Sequence, residues 1–187
     1  MCLVVGLLVV NHPSSATAAT AQKVETISVS DIRSGAASFK GQIQQAQEVF
    51  ESDGNTLIPP KEPLFQQYGI RTFTAFEKHP ELVSSLKNLN PSFDPHQMGT
   101  SALSSIATFN GRTLLILSGC FPHNCDETQQ IIGFEPSTRL IYLLQPTNVG
   151  PYHSKTTPSG KFYLYGNPDS SVRSAMYNAY LTQGNLN

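Results

Sequence analysis

Residues 104–119 read SSIATFNGRTLLILSG. Two apolar runs meet at Asn110-Gly111, a dipeptide that accepts the positive φ angles of a type I′ turn, so the stretch predicts a β-hairpin. On its C-terminal side, QQIIGFE (129–135) and RLIYLLQP (139–146) are joined around Pro136 and predict a second antiparallel pair. KFYLYG (161–166) alternates bulky side chains and predicts a fifth strand. NPDSSVRSAMYNAYL (167–181) then predicts a closing helix. Asn167 or Asp169 would cap it, with Val172, Met176 and Ala179 or Tyr180 on the buried face. Asp169 and Arg173, four apart on that helix, read as a surface ion pair.

On the N-terminal side the pattern is helical. LFQQYGIRTFTAFEK (64–78) and PELVSSLKNLNP (80–91) predict two helices, the second with Pro80 in its first turn and Glu81 beside its positive end. Residues 22–61 read as an N-terminal helical arm that opens at Ser30 or Asp31. Its apolar stripe runs through Ile32, Phe39, Ile43, Ala46 and Phe50 or Val49, with Gly35 and Gly41 weakening it. LIPPKEP (57–63) breaks regular structure. Residues 62–187 form the domain proper. Helices first, then strands, then one helix define an α+β fold: a central antiparallel sheet of about five strands in a meander, flanked by helices.

Composition narrows the function. Charged residues make up 13% of the chain, and the formal net charge is −1. Nucleic-acid binding rests on clustered Lys and Arg, which this balance does not supply. No Gly-x-Ser-x-Gly elbow, phosphate-binding loop or dinucleotide fingerprint occurs. The reading is a protein that is not an enzyme and uses no cofactor and no metal. Residues 1–21 carry the apolar run CLVVGLLVV and then Ala-x-Ala spacings, which together read as a signal peptide cut before Gln22. The run falls short of the roughly 20 apolar residues that cross a bilayer. The expectation is a periplasmic or secreted protein with no membrane segment after cleavage.

Cys120-Phe121-Pro122-His123-Asn124-Cys125 lies between the second and third predicted strands. Three chemistries suit it. A metal clip would use Cys120, His123 and Cys125, but structural zinc wants four ligands, and His79, His96 or His153 would have to complete the set. A redox pair lacks the two-residue spacing of thioredoxin-type motifs. Removal of Cys2 with the signal leaves an even count of two cysteines in an oxidising compartment, which reads as one disulfide. A loop that short gains only about 2 kcal/mol from closure. The bond therefore makes better sense as a local constraint that displays Phe121 and His123, with Pro122 removing further freedom. A stapled turn with no partner is the plain alternative. Asp126-Glu127 reads as solvated surface and His153 as an exposed loop residue.

The loop and its setting resemble the Ivy family, bacterial periplasmic inhibitors of vertebrate (c-type) lysozyme. That family carries a Cys-Lys-Pro-His-Asp-Cys loop between two strands of an antiparallel sheet. FNGRTLLILSGC (109–120) is similar to its strand-turn-strand lead-in, QQIIGFEPSTRLIYLLQP (129–146) to its next hairpin, and FYLYGNPDSSVRSAM (162–176) to its last strand and helix. The likeness spans about residues 62–182 and is firmest over 104–145. It implies an inhibitor whose disulfide-closed loop, Cys120 to Cys125, enters the glycosidase cleft with His123 facing the catalytic carboxylates. It also implies a homodimer among the arrangements to expect. Phe121 stands where the family has Lys, and Asn124 where it has Asp, so both charges flanking the histidine are gone. Lysozyme, c-type first, or another muramidase is the expected partner. A bacterial lytic transglycosylase as target, a non-inhibitory periplasmic binding or scaffold protein of the same fold, and a zinc-dependent enzyme built on His123 are the alternatives.

Overall fold

The computed structural model describes residues 24–45, 72–101, 104–148 and 160–183. The segment read as a signal peptide, the remainder of the expected N-terminal arm with its proline break, and the loop expected around His153 lie outside the described residues. The strands are β1 (Glu25–Ser28), β2 (Gln42–Gln45), β3 (Thr100–Ser101), β4 (Ser105–Phe109), β5 (Arg112–Cys120), β6 (Gln130–Glu135), β7 (Leu140–Pro146) and β8 (Lys161–Tyr165). The helices are α1 (Val29–Ala37), α2 (Thr72–Lys78), α3 (Pro80–Leu89), α4 (Cys125–Thr128) and α5 (Ser170–Gln183), with a 3-10 turn at Pro95–Met98. The fold is α+β, with every strand pairing antiparallel.

The hairpin that opened the sequence reading is β4–β5. Asn110 and Gly111 have φ values of 49° and 71°, the pair of positive angles a type I′ turn requires. Neighbouring strands then follow one another from β4 to β8, the expected meander. The sheet is wider than five strands, running β1-β8-β7-β6-β5-β4-β2, with β3 beside the far end of β5. The two edges, β1 and β2, come from the segment expected to be a helical arm. Among its described residues the arm is corrected: Val29–Ala37 is helical, but Glu25–Ser28 and Gln42–Gln45 are strands, with Ile43 opposite Ala107.

Local chemistry explains where α1 starts. Ser28 caps it, accepting from the Asp31 N–H at 3.2 Å while Asp31 Oδ2 accepts from the Ser28 N–H at 2.8 Å, a reciprocal capping box. After Ala37 the chain leaves the helix. Phe39 and Ile43 still pack against the same core as Ile32 and Ala36.

Both faces of the sheet are covered. On one, Leu114, Ile116, Ile131, Leu144 and Leu164 meet α1 and α5. On the other, Leu115, Leu117, Ile132, Leu143 and Tyr165 meet α2, α3 and the 3-10 turn. This two-sided burial is why β5 reads as a continuous apolar run instead of an alternation. α1 and α5 approach closely at Gly35, where a Cβ would collide with the Tyr177 ring.

Candidate functional site

The candidate site is the connection between β5 and β6. β5 ends at Cys120, which is 5% exposed and pairs with Thr100 of β3. Cys120 and Cys125 are joined in a disulfide, with their Cα atoms 4.9 Å apart. With the sulfurs bonded to each other, neither is available as a thiolate for a metal or an exchange reaction. Among the described residues, no group of three or more metal-ligating side chains converges.

Between the cysteines the backbone makes a tight turn, with the Asn124 N–H donating to the Phe121 carbonyl at 3.0 Å. Thr128, on α4, closes the same turn from below. Its Oγ1 accepts from the Phe121 N–H at 2.9 Å and donates to the Asn124 carbonyl at 2.6 Å. The outer side of the loop leans on the 3-10 turn: a Cβ added to Gly99 would stand 3.2 Å from Cγ of Pro122. A side chain there would press on the proline ring.

His123 sits at the tip, exposed, with φ of 66°. A side chain in this left-handed region is uncommon, although histidine is one of the residues that tolerate it best. The other displayed group of the sequence reading, Phe121, is half-buried, as are Pro122, Asn124 and Cys125. Asn124 turns toward α4, its Nδ2 donating to Glu127 Oε2 at 3.3 Å. Glu127 is thus tied into α4 and is not simply solvated.

Beneath the loop lies a buried polar layer that the sequence reading missed. The Asn90 amide donates to Gln145 at 2.8 Å, and Gln145 donates to Gln97 at 3.2 Å. Gln130, at the start of β6, is fully buried, and neither atom of its side-chain amide meets a hydrogen-bond partner among the described residues. Isolated amides scattered over 55 residues of sequence give no local signal that they will meet.

A second cluster occupies the opposite end of the sheet. Arg112 grips Glu135 with two hydrogen bonds of 2.7 and 3.1 Å, and Glu135 also accepts from Thr138 at 2.9 Å and Tyr142 at 3.3 Å. Arg112 further pairs with Asp169, which caps α5 by accepting from the Ser171 and Val172 N–H groups at 2.9 and 3.0 Å. The expected Asp169–Arg173 pair is therefore corrected, because Arg173 turns to Glu25 of β1 at 2.6 Å. The hydrogen bonds from Arg112 hold the Glu135 carboxyl below its usual range despite burial. Burial, reinforced by the Glu135 charge, pushes the Tyr142 phenol up to about 12. A carboxylate held ionised by four donors is a poor proton donor, so this cluster reads as a clamp between β5, β6, β7 and α5. A cavity of about 300 Å³ beside it is lined by Ser38, Phe39, Lys40, Asn110 and Ser174.

Fold and site together define an α+β protein with a disulfide-closed loop presenting one histidine. Comparison with protein-family models, curated proteins and solved structures finds no match to the chain.

Proposed function

We propose that this protein is an exported inhibitor of lysozyme, which inserts the Cys120–Cys125 loop into the enzyme's cleft and sets His123 against the catalytic carboxylates. The observation that carries the reading is His123 itself: an exposed imidazole in the left-handed region, at the tip of a loop closed by a disulfide. Strained, over-determined backbone of this kind concentrates at functional sites. A loop ordered before binding avoids the entropy of ordering on contact. Retaining glycosidases place two carboxyl groups about 5 Å apart across the scissile bond. A protonated imidazole between them donates charge-assisted hydrogen bonds to both. The proposal includes export to the periplasm or beyond and a role without catalysis.

Asn124 is neutral and bonded to Glu127, and Phe121 carries no charge, so the tip offers little besides the imidazole and an apolar shoulder. That observation favours a second reading, in which the target is a bacterial lytic transglycosylase with an apolar wall in its cleft.

The test is turbidimetric lysis of a peptidoglycan suspension by c-type lysozyme, with purified mature protein titrated in. Inhibition should saturate near equimolar protein, and His123→Ala should weaken it by at least about tenfold, the loss that even one of the two charge-assisted hydrogen bonds would give. No inhibition at large excess removes c-type lysozyme as the target and sends the same titration to lytic transglycosylases. Equal inhibition by His123→Ala would rule out the loop as the contact.

A further inference from the structure

We propose that Thr128 is a second clasp on the inhibitory loop, independent of the disulfide, and that it positions His123 even when the two sulfurs are not joined. The four residues enclosed by the cysteines run from Phe121 to Asn124, and Thr128 ties the first of them to the last. Its Oγ1 accepts from the Phe121 N–H at 2.9 Å and donates to the Asn124 carbonyl at 2.6 Å. Its own N–H reaches the same carbonyl at 3.2 Å. With the Asn124 N–H to Phe121 carbonyl bond at 3.0 Å, the turn is encircled without any bond to sulfur.

The hydroxyl uses its proton and a lone pair in defined directions, and the residue is 0% exposed. The hydroxyl is thus shielded from water, and removing it takes this bond from the Phe121 N–H. His123 lies inside this ring of contacts, one residue before Asn124, so its φ of 66° is maintained by the clasp as well as by the disulfide. Thr128 is a positioning residue that acts through the backbone and does not itself meet a target enzyme.

Two constraints closing the same four residues should be redundant, and redundancy shows as non-additivity. The variants are Thr128→Val, Thr128→Ser, the pair Cys120→Ser with Cys125→Ser, and that pair combined with Thr128→Val. Cysteine replacement is preferred to a reductant, which would also attack disulfides of a target enzyme. The first readout is amide hydrogen exchange at Phe121, with Leu115 and Ile132 as core controls. Thr128→Val should speed Phe121 exchange about tenfold, the effect of one lost hydrogen bond, while the core amides stay slow. Thr128→Ser should restore it. The cysteine pair alone should change it less than threefold, and the combined variant should exceed the product of the two effects.

The second readout is the inhibition assay, which rests on the inhibitor reading; there the combined variant should lose far more than either parent. If the wild-type protein fails to inhibit, that reading falls while the exchange readout still decides the clasp. Unchanged Phe121 exchange in Thr128→Val, or a cysteine pair that frees the loop as fully as the combined variant, would overturn the proposal.

Discussion

At the scale of single residues, His123 carries two roles that pull in opposite directions. Its imidazole is the group proposed to meet the target, and its backbone sits at φ 66°, where a Cβ is crowded and glycine is not. His123→Gly should therefore raise stability by up to about 1 kcal/mol, read as a shift in the urea midpoint, while inhibition falls at least about tenfold. Loss of both together would mean that the side chain supports the loop instead of facing outward. The loop's composition, its proline and its paired cysteines were plain in the sequence. Thr128 was not, because a threonine three residues beyond Cys125 has no distinguishing mark until the turn brings it under Phe121.

At the scale of elements, β6 shows how a strand tolerates a polar defect. Gln130 opens it fully buried, with both amide atoms unpartnered among the described residues, while Asn90, Gln145 and Gln97 hydrogen-bond one another nearby. An unmet buried amide costs about 1–3 kcal/mol. Gln130→Met keeps the length of the side chain and removes the unmet groups. It should raise stability by about 1 kcal/mol and the melting temperature by roughly 2–4 °C. A fall in melting temperature on that substitution would mean that water inside the fold satisfies the amide. The helices follow their own local rules more closely. α3 begins at Pro80, as its first-turn preference dictates, and α1 begins where the Ser28–Asp31 capping box places it.

For the whole molecule, the clamp of Arg112, Glu135 and Asp169 joins the sheet to α5 and makes stability depend on pH. Hydrogen bonding from Arg112 lowers the Glu135 carboxyl. Burial pushes Asp169 up, but the Val172 N–H and Arg112 outweigh it, so that carboxyl also ends below its usual value. A depressed carboxyl contributes stability above its unfolded value, near pH 4, and that contribution is lost as pH falls through the folded value. Urea unfolding at pH 7, 5, 4 and 3 should show a steeper acid loss for the wild type than for Glu135→Gln. Equal slopes would mean that other carboxylates govern the acid limb.

The sequence by itself determined what is decided within a few residues: the Asn110-Gly111 turn, the five-strand meander, the helices at Pro80 and Asp169, and the Cys120–Cys125 loop between β5 and β6. Those features depend on φ preferences, side-chain period and capping, which need no distant partner. Only the tertiary structure decided the edges. ETIS and QIQQ become strands because β8 and β4 offer unpaired backbone at the two sides of the sheet, not because their own side chains alternate. The stripe from Ile32 through Phe39 to Ile43 reached the core as read, but across a helix and then a strand. A pattern of buried positions specifies a face, and the backbone that delivers it is chosen by whichever neighbour can satisfy its hydrogen bonds. The partners of Arg112 and Arg173 were likewise set by elements that meet only once the sheet has formed.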